Sequence, residues 1–203
     1  KLSAALAAGC VIVLKPSELT PLSALRLGEL AIEAGFPPGV IQILTGFGAD
    51  AGAALVRHPG VDKVSFTGST AVGRSIVRTC ADDFKRVTVE LGGKSPNIIF
   101  ADAGLEQAIS GAANAAFFNT GQVCYAGTRL YVEDSVYDNV VSGIADVIAK
   151  MTIGNPFEPE TDLGPVVSEK QLNRIQSYID DGRDAGAEVV LGGSRIEQPG
   201  YYM

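Results

Sequence analysis

The stretch VDKVSFTGSTAVGRSIVRTCADDFKRVTVELGG, residues 61–93, decides the fold. It reads as a strand over 61–66, then a helix that begins at Ser69 or Thr70 and reaches about Ala81. A second strand comes next over 85–89, with the β-type run Val87-Thr88-Val89. A strand, a helix and a strand of these lengths imply a parallel βαβ unit. A right-handed crossover then lays the helix on one face of the sheet.

The same alternation extends upstream. Residues 9–14 are Val/Ile-rich and read as a buried strand, which Pro16 stops. Residues 21–35 have helical apolar spacing and end at a glycine before Pro37-Pro38-Gly39. A strand is expected over 40–44 and a short helix over 50–58. After Gly92-Gly93 the pattern restarts, with a strand over 97–100, a small-residue-rich helix over 103–118, a strand over 129–132 and a helix over 135–151. A turn-rich loop (154–165), a polar-faced helix (168–185) and a strand (188–191) complete it. The fold class is α/β, hinged near Leu91-Gly92-Gly93. The chain opens on Lys1 inside an apolar segment and stops at Tyr201-Tyr202-Met203 after a Pro-Gly turn, so both ends read as cuts through a longer protein.

Composition narrows the function. With 46% hydrophobic and 19% charged residues, the chain can bury a core and is not of disordered type. The net charge is −7 and no Lys/Arg cluster stands out, which argues against nucleic acid or an anionic membrane as partner. No apolar run approaches the roughly 20 residues of a membrane span, and no signal-peptide pattern is present. Cys10, Cys80 and Cys124 are odd in number and widely spaced, so they read as free thiols of a reducing, cytoplasmic compartment. One histidine, His58, and no Cys-x-x-Cys leave no metal site to expect.

Several motifs carry chemistry. Lys15-Pro16-Ser17-Glu18 comes after the first strand, where ligands of open α/β sheets sit. A Lys and a Glu there can hydrogen-bond both hydroxyls of a ribose, and the carboxylate would repel a 2′-phosphate. A capped, solvated loop is the ordinary alternative. Gly68 and Ser69 join a strand to a helix, where free amides can hold a phosphate, or where Ser69 is simply an N-cap. Gly46-Phe47-Gly48 with Gly52 imitates a dinucleotide fingerprint, but its last spacing is one residue too long. Glu90 lies between an apolar strand and a glycine turn, where partial desolvation would suit a general base; a surface glutamate is the alternative. Cys124 comes after Gly121-Gln122-Val123 in a loop of small and polar neighbours, so it reads as a reactive thiol. Cys10, in an apolar strand, and Cys80, on a helix, read as buried and inert.

Lys15-Pro16-Ser17-Glu18, Phe66-Thr67-Gly68-Ser69, Glu90-Leu91-Gly92-Gly93-Lys94 and Gly121-Gln122-x-Cys124 occur in the order and approximate spacing of the aldehyde dehydrogenase superfamily, which the whole chain resembles. The resemblance implies part of a Rossmann-like parallel-sheet NAD-binding domain over 1–91 and part of an α/β catalytic domain over 92–203. It also implies Cys124 as nucleophile, Glu90 as general base, and cofactor contacts from Lys15, Glu18, Gly46, Gly68, Ser69 and Gly92. Phe118 falls in the stretch that lines the substrate tunnel, and Thr120 stands where many members have Gln. The cofactor implied is NAD, with NADP possible, and the partners are a small aldehyde and, for the parent, further copies of itself in a dimer or tetramer.

The same resemblance places the oxyanion-hole asparagine before Lys1 and the nicotinamide-ribose glutamate beyond Met203, so little turnover is expected of the isolated piece. The leading reading is aldehyde oxidation through a cysteine thioester. CoA-acylating members typically lack the glutamate, so Glu90 counts against them. A phosphorylating relative would need a phosphate site that the sequence does not reveal. A non-catalytic nucleotide-binding or structural relative is the remaining alternative.

Overall fold

Parallel pairing between successive strands builds the chain. In the computed structural model, which describes residues 1–203, three strand–helix–strand units succeed one another. β1 (Ile12–Leu14) leads through α2 (Leu22–Glu33) to β2 (Ile41–Ile43), after a first helix α1 (Leu2–Ala7). β3 (Lys63–Gly68) leads through α4 (Thr70–Asp82) to β4 (Arg86–Leu91), with α3 (Ala53–Arg57) before it. β5 (Pro96–Ile99) leads through α5 (Leu105–Phe117) to β6 (Arg129–Val132), with α6 (Tyr137–Ala149) and α7 (Glu169–Asp184) after it. Each unit forms its own two-stranded parallel sheet. The registers run from Ile12 opposite Ile41, from Lys63 opposite Arg86, and from Pro96 opposite Arg129. The chain divides into two compact units, Lys1–Leu91 and Gly92–Met203. No helix is long and apolar enough to cross a membrane.

The expected elements are present with shifts of a few residues, except that one expected strand is absent and one helix was not expected. Residues 188–191 form no strand: no segment pairs with them, and Val190 and Leu191 are exposed. The apolar opening segment contains a helix, α1, that alternation did not reveal. The expected helix over 50–58 begins as a π turn, Gly48–Gly52, before α3.

In the second unit, Ile99, Ala112 and Val140 are buried together under Leu105, Ile109, Val132 and Ile144, which fastens α5 and α6 onto β5 and β6. In the first unit, Ala31, Ile76 and Cys80 point from α2 and α4 into the core. Lys85 adds a polar tie: its ammonium donates to the carbonyls of Val56 and His58, at 2.8 and 2.9 Å, and so closes the C-terminus of α3.

The helix ends reflect their residues. After α2 the amide of Phe36 donates to Ala31 O and that of Gly35 to Ile32 O, with Gly35 left-handed at φ 85°, the arrangement glycine favours. α4 closes in the same way, with Lys85 N donating to Cys80 O and Phe84 N to Ala81 O. There the left-handed position holds Phe84, at φ 53° and 94% exposed. A side chain in that conformation costs about 1–2 kcal/mol, and this ring recovers little of it by burial. Phe84→Gly is therefore expected to stabilise the first unit by about 1 kcal/mol, after allowing for glycine's greater freedom when unfolded. A higher urea midpoint would bear this out; an unchanged or lower one would contradict it.

Candidate active site

The first unit gathers its polar candidates at the carboxyl ends of its strands. Lys15 comes directly after β1, and its ammonium donates to Pro16 O at 2.6 Å and Gly46 O at 3.0 Å. It lies 3.6 Å from the Glu18 carboxylate, and Gly52 lies beneath its aliphatic stem. The Gly46–Gly52 loop thus holds Lys15 in place, a role its near-fingerprint spacing did not disclose. The Glu18 carboxyl is held below its ordinary 4.5, chiefly by its own backbone amide, with slight desolvation opposing and the Lys15 ammonium adding.

Gly68 ends β3 and Ser69 caps α4, its Oγ accepting from Val72 N at 3.3 Å. The amides of Thr70 and Ala71 at this helix start have no partner in the chain. A Cβ on Gly68 would meet the Phe66 ring at 2.5 Å. In β4, Glu90 lies opposite Thr67 and Leu91 opposite Gly68, so parallel register brings the carboxylate to the end of the sheet that carries Ser69. Glu90 is exposed, which is the surface-glutamate alternative, and this chain supplies no desolvating surroundings for it. No hydrogen bond joins the Lys15–Glu18 pair to the Gly68–Ser69 turn.

In the second unit α5 ends at Phe117, and the chain turns through Asn119 (φ 52°), Thr120 (φ 58°) and Gly121 (φ 68°), three left-handed residues in succession. Thr120 is β-branched, for which this conformation is an outlier at about 1–2 kcal/mol. Its hydroxyl donates to Gly164 O at 3.1 Å. Gln122 reaches the same segment: its side-chain oxygen accepts from Val167 N at 2.9 Å, and its amide donates to Pro165 O at 3.5 Å. Cys124 lies on the exposed surface of this loop. Gln122 N donates to Asn119 O, Ala126 N to Val123 O and Gly127 N to Ala115 O, whereas the Cys124 amide donates to nothing. Phe118 is exposed beside the turn. Gly92 is exposed with open space around it, while a Cβ on Gly93 would come 3.0 Å from Cys124 O. Gly93 thus packs on the cysteine loop, a contact that its place in the sequence did not signal.

Of the other thiols, Cys80 is fully buried on α4, and burial raises its pKa. Cys10 is exposed in the turn before β1 rather than buried in a strand, because the strand begins only at Ile12.

Residues 1–203 match the aldehyde dehydrogenase family model, and the chain belongs to that family. It is 53% identical along its whole length to the DhaS protein of Bacillus subtilis and 50% identical to an aldehyde dehydrogenase of Agaricus bisporus. It spans 41% of the length of each of these relatives. A solved structure of an NAD+ complex of aldehyde dehydrogenase from Bacillus cereus superposes with a TM-score of 0.97 at 50% identity, over 99% of this chain and 41% of that one. A mutant of the Bacillus cereus enzyme gives 0.98 over 100% and 41%.

Thiol labelling and carboxyl titration both report on this geometry. Iodoacetamide should modify Cys10 and Cys124 of the native chain and leave Cys80 unmodified until denaturant is added; mass mapping that finds Cys80 modified as fast as Cys10 would contradict the burial. The lowered Glu18 value means that the stabilisation from its backbone amide, and with it from Lys15, is complete above about 4.5 and is lost only as pH falls through the lower folded midpoint. Carboxyl-detected NMR should place the Glu18 midpoint below 4.5, and a midpoint at or above it would refute the contacts made by its backbone amide and Lys15 together.

Proposed function

We propose that the full-length protein carrying this chain oxidises an aldehyde to a carboxylic acid with NAD, with Cys124 as nucleophile and Glu90 as general base. The observation that carries the reading is the exposed Cys124 thiol, on a loop whose Cys124 N–H is unpartnered. An attacking sulfur and a donor for the oxygen that becomes negative are then two groups of one residue.

The residues of the first unit fit the cofactor. The Lys15 ammonium and Glu18 carboxylate, 3.6 Å apart, match a ribose diol, and the Glu18 charge disfavours the extra phosphate of NADP. The unpaired Thr70 and Ala71 amides at the start of α4 suit a phosphate. Gly46, Gly68, Ser69 and Gly92 complete the proposed contacts, with 1–91 serving the cofactor and 92–203 the thiol chemistry. The NAD+ complex of the Bacillus cereus relative supports this choice of cofactor.

The Cys124 thiolate adds to the aldehyde carbon, and its own N–H receives the new oxyanion. Bound NAD supplies the hydride acceptor, so that the carbon is oxidised to a thioester on Cys124. Glu90 takes a proton from water as the water attacks that thioester; the carbon–sulfur bond breaks, the thiolate returns and the acid leaves. The net change consumes aldehyde, NAD+ and water and yields acid, NADH and a proton. A cytoplasmic location and assembly into a dimer or tetramer belong to the same proposal.

Removing the base separates the two halves of this sequence. In the full-length protein, Glu90→Gln should give a first-turnover burst of NADH, and then steady turnover slower by about 10²–10⁴-fold. Cys124→Ala should give neither burst nor turnover. Steady turnover at the unsubstituted rate in Glu90→Gln would overturn the assignment of the base, and a retained burst in Cys124→Ala would overturn the assignment of the nucleophile.

A further inference from the structure

We propose that Gln122 is a positioning residue for Cys124, and that the segment Leu163–Val167 is the platform against which the nucleophile loop is set; this rests on the reading of Cys124 as the nucleophile. Three successive left-handed residues, two of them not glycine, persist only where the surroundings over-determine them. Here the surroundings are one segment. Thr120 donates to Gly164 O before Gly121, and Gln122 bridges to Val167 N and Pro165 O after it. The turn that precedes Cys124 is thus fastened on both sides to residues more than forty positions away.

The platform is itself anchored. Leu163 pairs with Ile153 in an isolated parallel bridge, and Gly154 N donates to Leu163 O at 3.0 Å. Leu163 and Val166 are buried, and Val166 N donates to Tyr201 O at 2.9 Å. Tyr202, also buried, donates its hydroxyl to Gly154 O at 3.1 Å. The segment is therefore tied on both flanks by bonds that do not involve the cysteine loop. Neither Gln122 bond is made by a backbone group of the loop, so the side chain alone links the platform to the residue two positions before the thiol. A small displacement of a reacting atom is costly to rate, whereas the cofactor contacts proposed above lie on other residues.

The variants Gln122→Leu and Gln122→Glu in the full-length protein distinguish this role. Leucine keeps the volume and removes both bonds; glutamate keeps the acceptor for Val167 N, the shorter of the two. Gln122→Leu should lower kcat by about 10- to 100-fold while KM for NAD stays within about twofold. Gln122→Glu should recover kcat to within about threefold of the unsubstituted protein. Unchanged kcat in Gln122→Leu overturns the proposal. So does equal impairment in both variants, or a loss of kcat accompanied by an equal rise in KM for NAD and a collapse of Tm, which would mark a general structural role. Cys124→Ser run alongside tests the underlying reading separately, since undiminished aldehyde oxidation by it removes the nucleophile rather than its positioning.

Discussion

Parallel pairing of β3 with β4 is the constraint on which the chemistry proposed for the first unit depends. Two strands of the same polarity end at the same edge, so the loops that leave their carboxyl ends lie side by side. The register that sets Thr67 opposite Glu90 and Gly68 opposite Leu91 brings a carboxylate to the edge where Ser69 opens α4. A shift of one residue would turn every side chain of the strand to the opposite face. The β1–β2 pair repeats the logic on a smaller scale. Leu44 N donates to Leu14 O just before the loop whose Gly46 carbonyl receives Lys15, so the end of β2 secures the residue next after β1.

The second unit places its thiol by a different device. Cys124 is on no regular element; its position comes from a helix that stops at Phe117, a left-handed turn and side-chain bonds to distant backbone. Such a turn is unfavourable in itself. It is maintained because Thr120 and Gln122 find partners in a segment that buried residues hold still. Exposure of the thiol and an unpaired amide beside it come from the same local arrangement, since a residue inside a helix would have had its N–H consumed by the ladder.

Much of this was legible in the residues, for identifiable reasons. Runs such as Val87-Thr88-Val89, which leads to Gly92-Gly93, have few alternatives to a strand, and Ser69 caps its helix as its position suggests. The loops that bear Lys15, Ser69 and Cys124 could be picked out because they lie a short distance beyond strands or helices. Other features were not local enough to read. Residues 188–191 have strand composition but no strand beside them, and composition cannot report a missing partner. Phe84 and Thr120 sit in backbone conformations that their own types disfavour, so propensity points away from them. The exposure of Cys10 and Glu90 depends on what packs nearby rather than on their neighbours in sequence. The bond from Val167 to Gln122 spans 45 positions, and only the folded chain reveals it.

In the proposed reaction Cys124 alone forms the bond to the aldehyde carbon. The full-length protein can be quenched in acid during turnover with an aldehyde and NAD, and the acyl mass then mapped by peptide sequencing. An acyl group should be found on Cys124, with Cys10 and Cys80 unmodified. An acyl group on Cys10, or turnover with no acylated cysteine at any quench time, would contradict it.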